Sequence, residues 1–237
     1  MAAALWALMA ALLAAPSAWS QEQELPQLDP SNLNPSGVVI ATDASSAQMT
    51  INQSTERAVI RWSSFSIGKD AEVNFLQPGV EAGTLNIVTG TSASTLAGTL
   101  TATGSVFLIN PHGITITPTG QVNTGGMFLA STLKAVDEAK FLLSDNEFTF
   151  AVPEGGTAAS VANDGSITAR DVVLLGTRVF NSGNIVAARL GRVALASGSY
   201  AVLDLSGDGF LQVLAPAEIA PDDYPLVVVS REGTIVA

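Results

Sequence analysis

The sequence predicts an all-β protein in which short strands stack as the coils of a parallel β-helix. Three observations favour this fold class: few charges, many glycines, and a short glycine-containing pattern that returns along the chain. Only 13% of the 237 residues are charged and 21 residues are glycine, whereas 47% are hydrophobic. Helical bundles are richer in Glu, Lys and Arg than this chain, and its apolar content is ample for a folded core.

Composition also excludes several kinds of site. The chain has no cysteine, which excludes a disulfide framework and any thiolate metal site. Ten Lys and Arg residues stand against 21 Asp and Glu residues, which gives a net charge of −11. Because a nucleic-acid-binding protein needs a basic face, we predict no nucleic-acid partner. No pattern in the chain points to a cofactor.

The first twenty residues have the pattern of an export signal. Ala2–Ala15 is an apolar run, and its length of about 14 residues falls short of the roughly 20 that span a bilayer. Ala18 and Ser20 provide the small residues of a cleavage site. We therefore predict a signal peptide at 1–20 and a lead-in segment at 21–38. A buried first helix is the alternative for the apolar run.

A pattern of the form Asn-x-Gly-x-apolar-x-apolar recurs in the second half of the chain. Gly suits a tight corner because it adopts positive φ, and Asn tolerates or caps such a corner. The alternating apolar residues that follow face one side of a strand. Copies lie about 20 residues or a multiple of that apart, which is typical of a solenoid. The predicted corners are Asn123 and Gly125, Asn163 and Gly165, and Asn181 and Gly183, with weaker copies at Gly209 and Gly233.

Other elements are predicted from alternation and from apolar runs. Val59–Ile67 alternates with a phase slip at Ser63–Ser64, which indicates two short strands joined by a bend. Val106–Ile109 is wholly apolar, as expected for a strand that is buried on both faces. Ser131–Leu143 is predicted as a helix that is capped by its first residue. Phe148–Val152 is predicted as a hairpin strand outside the main coil.

Blocks of residues follow one another in a characteristic order between residues 39 and 198. They are Trp62–Gly68, Val73–Pro78, Leu85–Gly90, Gly104–Ile114 and Ala130–Leu133. The series resembles the two-partner secretion domain, also called the filamentous haemagglutinin N-terminal domain, which begins large exported adhesins and haemolysins of Gram-negative bacteria. The matching positions include Trp62, Phe65, Asn74, Phe75, Gln77, Pro78, Asn86, Ser131 and Thr132, and the family's Asn-Pro-Asn-Gly motif falls on Asn110, Pro111, His112 and Gly113.

The resemblance implies both a fold and a partner. The implied fold over 39–198 is a right-handed parallel β-helix with an N-terminal cap and small elements outside the helix, and further coils are expected over 199–237. The implied partner is an outer-membrane β-barrel transporter whose periplasmic polypeptide-transport-associated domains recognise the unfolded or nascent chain. Folding outside the cell then helps to pull the chain across. The protein is accordingly expected to be secreted or to lie on the cell surface.

Asn110–Gly113 also fits a plain β-turn, with Pro fixing φ at the second position and Gly closing the turn. The two interpretations overlap, because a turn that controls folding also controls how long the chain stays threadable. His112 replaces the family's usual Asn, and Ile87 stands where the family often has Arg. As the lone His of a chain without Cys, His112 is not predicted to bind a metal or to act as a base. Trp62 and Phe65 are interpreted as packing residues rather than as a sugar platform.

Isolated acids occur near the end of the chain without a regular Asp-bearing repeat around them. We interpret them as solvated side chains rather than as calcium ligands. They are Asp204, Asp208, Asp222 and Asp223.

The function predicted from the sequence is a non-enzymatic secretion and folding-nucleation module. A polysaccharide-cleaving β-helix enzyme is the alternative from another class, because this fold also hosts lyases and hydrolases. Its candidate residues are Arg170, Arg178, Arg189 and Arg192 with Asp164 and Asp171. A further alternative is direct binding of a host-cell surface ligand. Because the last pattern copy stops at Ala237 without a polar cap, we expect the monomeric front piece of a longer exported protein.

Overall fold

The structure is a computed structural model that describes residues 22–32, 35–143, 147–153, 159–204, 210–214 and 226–237. The predicted signal peptide at 1–20 lies outside the described residues, as do Asp208, Asp222 and Asp223. Within the described part, no helix is both long and apolar enough to cross a bilayer. Three sheets run along a shared core, and successive turns of the chain add strands to them. The predicted parallel β-helix is confirmed.

Successive strands around each coil belong to three different sheets. The first sheet consists of β1 (Gln27–Leu28), β4 (Arg57–Ser64), β6 (Gly83–Val88), β9 (Ser105–Ile109), β12 (Met127–Ser131), β17 (Asp171–Gly176) and β20 (Val193–Ser197). The second consists of β2 (Val38–Asp43), β3 (Gln48–Gln53), β5 (Glu72–Leu76), β8 (Thr99–Ala102), β11 (Gln121–Thr124), β16 (Ser166–Ala169), β19 (Asn184–Ala187) and β24 (Thr234–Val236). The third consists of β7 (Ser94–Leu96), β10 (Ile114–Ile116), β15 (Ser160–Asn163), β18 (Arg178–Asn181) and β23 (Leu226–Val229).

The coils stack in parallel, and the strand register aligns side chains at equivalent positions of successive coils. Because side chains alternate between the two faces of a strand, one row of aligned positions enters the core together. One such row in the first sheet runs through Ile60, Asn86, Leu108, Ala130, Leu174 and Leu195. Every member except Leu195, which lies in the last strand of the sheet, is fully buried. The core therefore extends from coil to coil without interruption.

The N-terminal end of the helix is closed by antiparallel pairing. Strand β1 pairs antiparallel with β4, and β2 pairs antiparallel with β3. Leu28, Val38 and Ile40 of these strands are partly buried against the main core. These pairs occupy the place of the N-terminal cap that the sequence resemblance implies.

The first sheet is buried on both faces. In β9, Val106 and Leu108 face the interior of the helix, whereas Phe107 and Ile109 belong to a second apolar cluster on the outer face. A fourth sheet and a short helix, α1 (Glu138–Leu142), cover that outer face. The fourth sheet is antiparallel and consists of β13 (Lys134–Ala135), β14 (Glu147–Ala151), β21 (Tyr200–Asp204) and β22 (Leu211–Leu214). The predicted double burial of Val106–Ile109 is confirmed.

Aromatic rings join the fourth sheet and α1 to the coil. Phe141 of α1 lies with its ring centroid 5.3 Å from that of Phe107, in an edge-to-face arrangement. Phe148 of β14 packs 5.2 Å from Phe141, again measured between ring centroids. Such pairs contribute beyond the area that they bury. The strand predicted over Phe148–Val152 is confirmed as lying outside the coil.

The helix predicted over Ser131–Leu143 is wrong in its extent. Only Glu138–Leu142 is α-helical, and its N-cap is Asp137, whose carboxylate accepts a hydrogen bond from the Lys140 backbone N–H at 3.3 Å. Ser131 instead ends β12. Its buried hydroxyl accepts from Leu133 N–H at 3.0 Å and donates to Leu133 C=O at 3.1 Å. Serine competes for backbone groups in this way, so it ends the strand rather than capping a helix.

Further coils are predicted over 199–237, and among the described residues of that range only those from 226 onwards form them. Strands β23 and β24 extend the third and second sheets of the helix. Strands β21 and β22 belong to the antiparallel fourth sheet instead, so the pattern copy at Leu211 and Val213 is not a coil. Alternating apolar residues suit either pairing, because they only require that one face be covered.

The bend predicted within Val59–Ile67 is confirmed. Strand β4 ends at Ser64, and Ile67 then forms an isolated parallel bridge with Leu96 of β7. Phe65 and Ile67 are buried although they stand in the opposite phase to Ile60 and Trp62. The slip at Ser63–Ser64 is thus where the chain turns from the first sheet towards the third.

Asp29 fastens the lead-in segment to the first coils. Its carboxylate accepts from the Ser31 N–H at 2.7 Å, from the Ser31 hydroxyl at 2.6 Å and from the Thr89 hydroxyl at 2.5 Å. These hydrogen bonds, with Ser31 contributing most, lower the pKa of Asp29 from its ordinary 3.8 to about 2. A carboxyl whose pKa is lowered by folding stabilises the fold above its unfolded pKa, and this stabilisation is lost as the pH falls from 3.8 towards 2.

Replacing Thr89 by Val should raise the pKa of Asp29 towards 3.8, because one hydrogen bond to the ionised form is removed. A residue-resolved NMR titration of the Asp29 carboxyl carbon measures this pKa. Acid unfolding would not isolate it, because hydrogen bonds from serine residues also lower the pKa of Asp43, which then contributes to the same transition. Thr117→Val is the control, because it removes a hydroxyl that is paired with Thr119 rather than with Asp29. It should leave the pKa of Asp29 unchanged. An unchanged Asp29 pKa in Thr89→Val would show that the Thr89 hydroxyl does not stabilise the Asp29 carboxylate.

Candidate functional site

The Asn110–Gly113 turn lies where the chain leaves β9 of the first sheet and enters β10 of the third. The Gly113 N–H donates to the Asn110 C=O at 3.1 Å, which closes the turn. Gly113 has φ of 119°, a conformation that side-chain-bearing residues rarely adopt. Its carbonyl accepts from the Ser94 N–H at 2.9 Å, which ties the turn to the preceding coil. The predicted β-turn is confirmed.

Asn110 is fully buried, and both ends of its amide are used inside the corner. Nδ2 donates to the Ser92 C=O at 3.0 Å and to Ser94 Oγ at 2.9 Å. Oδ1 accepts from the His112 N–H at 2.9 Å, and the Asn110 N–H donates to the Ser131 C=O at 2.9 Å. The side chain therefore joins the turn to the segment at 92–94, and the backbone N–H adds a link to Ser131. The amide presents nothing to an approaching partner.

Pro111 and His112 are the turn residues that reach the surface. Pro111 is half-buried and His112 is exposed. Both line a groove of about 450 Å³ beside the fourth sheet. The other lining residues are Arg61, Ile87, Val88, Thr89, Gly90, Lys134, Glu138 and Pro153. Ile87 and His112, the two positions at which the sequence departs from the family pattern, thus share one groove.

An ion pair crosses this groove. Arg61 of β4 binds Glu138 of α1 through Nη2 and Oε2, with both side chains about one third exposed. Lys134 of β13 lines the same groove. Sequence reasoning missed Arg61, Lys134 and Glu138, because they stand on three different elements. Only the position of α1 against β4 brings them together.

Several family-matching polar residues are buried and satisfy backbone groups. Gln77 donates through Nε2 to Thr84 Oγ1 and to the Ser105 C=O, both at 2.9 Å, and accepts at Oε1 from the Gly104 N–H at 2.7 Å. Asn86 Oδ1 accepts from the Trp62 indole N–H at 3.0 Å. These residues act within the fold, because burying a polar group is costly unless it is hydrogen-bonded.

The remaining family-matching residues have varied positions. Phe65 packs edge-to-face on Trp62 with centroids 5.3 Å apart, and Phe75 is buried in the main core. Asn74 is half-buried and accepts from the Thr101 hydroxyl of the next coil, whereas Pro78 is exposed. Thr132 is buried and donates to the Ala159 C=O at 3.2 Å.

Two of the three predicted corner asparagines form a ladder inside the third sheet. Asn163 Nδ2 donates to Asn181 Oδ1 at 2.7 Å, and Asn181 Nδ2 donates to the Gly183 C=O at 3.2 Å. Asn163 Oδ1 in turn accepts from the Gly165 N–H at 3.2 Å. A Cβ atom on Gly183 would lie 2.1 Å from the Gly165 carbonyl oxygen, so the stacked corners require glycine.

The prediction that Asn123 stands at a corner is wrong. Asn123 is exposed on β11 of the second sheet, in register with Thr168 rather than with the Asn163–Asn181 ladder. Gly125 does stand at a tight corner, because a Cβ there would lie 2.2 Å from the Thr103 carbonyl oxygen. The corner before the first sheet and the corner before the second share a sequence pattern, and sequence alone did not separate them.

Of the residues that the enzyme alternative names, the structure brings Asp171 together with Arg170 and Arg192. Asp171 is buried and lies between Arg170, with Nε–Oδ2 of 3.1 Å, and Arg192, with Nε–Oδ1 of 3.5 Å. Asp164 accepts from the Ser182 hydroxyl instead. Arg189 is exposed. In the described ranges, no group of three or more His, Asp or Glu side chains is arranged to hold a metal ion.

Comparison with known proteins identifies the domain. The family described as the TPS secretion domain matches residues 27–220. This chain belongs to the TPS secretion domain family. TPS stands for two-partner secretion, so the resemblance found in the sequence is confirmed. TPS proteins are secreted across the outer membrane with the help of a partner transporter in that membrane, so the domain is a secretion module.

Relatives of this TPS domain are larger proteins. The chain is 37% identical over 194 residues to a heme/hemopexin-binding protein of Haemophilus influenzae, and the match covers 80% of the chain and 21% of that protein. A second heme/hemopexin-binding protein of Haemophilus influenzae is 43% identical over 96 residues, which cover 40% of the chain and 10% of that protein. The TPS chain thus spans about a fifth of the length of the first relative.

Solved TPS secretion domains have the same architecture. The HMW1 secretion domain from Haemophilus influenzae superposes with a TM-score of 0.68 at 28% identity, covering 89% of this chain and 55% of that one. The filamentous hemagglutinin secretion domain superposes with a TM-score of 0.62, covering 90% of this chain and 76% of that one. At 14% identity, the second comparison shows the fold alone.

In this TPS domain, Asn110→Ala should lower the free energy of unfolding by about 1–3 kcal/mol, because the Ser92 C=O and the His112 N–H lose their buried partner. Urea unfolding followed by circular dichroism measures the change. Asn123→Ala removes an exposed amide from the same coil and should change stability by no more than about 0.5 kcal/mol. Equal effects of the two substitutions would show that the Asn110 contacts do not stabilise the corner.

Proposed function

We propose that this chain is the secretion-signal and folding-nucleation module of a larger exported surface protein, and that its Asn110–Gly113 turn is read before the domain folds. Burial of Asn110 carries the proposal. The amide has no exposed surface, and its hydrogen-bonding groups are directed into the corner. A partner can therefore contact the amide only while the chain is unfolded or nascent.

We infer an order of events from the same geometry. Residues 1–20 direct the chain through the inner membrane as a signal peptide. In the periplasm, the polypeptide-transport-associated domains of the partner transporter bind the unfolded chain. After passage through the barrel, the lead-in and the β2–β3 hairpin close the first coil, and later coils stack on it. The folded chain is a monomer. Each coil contacts mainly its neighbours, so folding can proceed from one end.

We propose no bond chemistry for this chain. The two acids named for a glycan-cleaving site lie apart, each with partners of its own: Asp171 is ion-paired with Arg170 and Arg192, and Asp164 accepts from the Ser182 hydroxyl. Glycan turnover by the purified chain that disappears in Asp171→Asn would overturn this statement. Host-ligand binding, including the heme or hemopexin binding for which the Haemophilus relatives are named, is proposed for the longer protein rather than for this domain.

Secretion assays test the turn directly. With the cognate transporter co-expressed, Asn110→Ala and Gly113→Ala should each keep the protein out of the medium, because each changes a residue of the turn sequence that the partner is proposed to read in the unfolded chain. Immunoblots of medium and periplasm measure the distribution. Asn123→Ala is the matched control on an exposed amide and should be secreted normally.

Loss of stability must be separated from loss of the signal. Leu174→Ala removes a buried side chain from β17, at an expected cost of about 2–5 kcal/mol, and leaves the turn unchanged. This variant should still reach the medium. Normal secretion of both turn variants, or equal retention of Leu174→Ala, would remove the signal role from Asn110–Gly113.

A further inference from the structure

We propose that a small pocket at the N-terminal ends of the first-sheet strands binds an oxyanion group of the sulfate, phosphate or carboxylate type. The pocket has a volume of about 110 Å³ and is lined by three arginines, Arg57, Arg170 and Arg192. It lies at the corner where the chain passes from the second sheet into the first. None of its lining residues belongs to the Asn110–Gly113 turn, so this inference does not rest on the secretion signal.

Two carboxylates balance part of the positive charge. Asp171 accepts from Arg170 Nε at 3.1 Å and from the Arg192 N–H at 3.0 Å. Arg170 also bridges to Glu81, with Nη1–Oε1 of 2.6 Å. Three guanidinium groups stand against two lining carboxylates, and the Glu56 carboxylate near Arg57 offsets the remaining positive charge. A bound anion would therefore be held by hydrogen-bond donors rather than by net positive charge.

Arg57 supplies a hydrogen-bond donor that the fold does not use. Among the described residues, its Nε is the one buried side-chain nitrogen or oxygen without a hydrogen-bond partner. Nη1 donates to the Glu81 C=O at 2.6 Å, and the guanidinium carbon lies 5.5 Å from the centroid of the Phe141 ring. Burial lowers the pKa of Arg57, against the opposing effect of Glu56 and Glu81. A buried donor without an acceptor calls for an explanation, and a bound oxyanion provides one.

The remaining walls suit a small anion. Ser105 Oγ accepts from the Met127 N–H at 2.9 Å, so its own proton is available for donation. The Arg192 guanidinium stacks 3.9 Å above the centroid of Phe210. Its Nε is paired with Asp171 Oδ1 at 3.5 Å, so the two Nη groups are the donors that remain in the guanidinium plane. Planar guanidinium donors match the oxygens of sulfate, phosphate and carboxylate. The volume accommodates one such group and excludes a whole sugar ring.

Thermal unfolding of the purified chain during a sulfate titration tests the site, with sodium chloride at equal ionic strength as the reference. Sulfate should raise the melting temperature along a saturating curve, because a ligand that binds only the folded state stabilises it. Arg57→Met keeps an apolar stem against Phe141 but removes the donors, and it should weaken the apparent sulfate affinity about tenfold or more. Arg192→Gln should act in the same direction.

Arg231→Gln is the matched control, because it removes one cation from the turn between β23 and β24. Its sulfate affinity should equal that of the wild type. A second titration with a sulfated oligosaccharide identifies the source of the group: tighter binding than sulfate points to a group carried on a glycan, and binding of sulfate alone points to a free ion. If the sulfate effect does not saturate and is the same in Arg57→Met and wild type, it is a general salt effect and the site does not exist.

Discussion

Successive coils of this domain hydrogen-bond in one parallel register, and that register decides which side chains enter the core. In the second and third sheets, whose strands alternate buried and more exposed positions, a slip of one residue would turn an apolar row outward, because neighbouring side chains on a strand face opposite sides. The row from Ile60 to Leu195 shows how far the constraint extends, since it passes through six strands of the first sheet. The corners have to keep this register while the chain changes direction.

Polar side chains maintain the register at the corners. Asn110 joins its turn to the segment at 92–94, Gln77 bridges Thr84 to the backbone of the next coil, and Asn163 reaches Asn181 in the coil beyond. A buried amide that lacks its partners is costly, so a coil in the wrong register would leave these groups unpaired. The residues that carry the family resemblance are thus largely those that specify stacking, which links the proposed secretion signal to the fold that follows it.

Much of this architecture was predictable from local patterns. The apolar run Val106–Ile109, the turn at Asn110–Gly113 and the outlying strand at Phe148–Val152 each follow from alternation or turn chemistry. Ser131 misled the prediction because a serine before an apolar stretch resembles a helix cap, whereas its hydroxyl bonds Leu133 at the end of a strand. Its partners became clear only from the tertiary contacts.

The sites on the surface were the least predictable. Arg61, Lys134 and Glu138 meet in the groove beside His112 only because α1 packs on β4. Asp171 gains its arginines because the starts of first-sheet strands stack above one another. Neither arrangement leaves a periodic signal in the sequence. Variable coil lengths also make the contacts hard to predict from sequence. Hydrogen-bonded residues of successive coils lie 18 residues apart at Asn163–Asn181 and 27 residues apart at Asn74–Thr101.

The partner transporter is proposed to read this domain before it folds. The most direct test of this proposal measures binding of the transporter's periplasmic domains to the chain from Gln21, either freshly diluted from urea or fully refolded. Trp62 is the one tryptophan after residue 20 and is fully buried, so its fluorescence reports folding in the same sample. We expect the freshly diluted chain to bind, and we expect binding to be lost at the rate at which Trp62 becomes buried. Equally tight binding of the fully refolded chain would contradict the proposal.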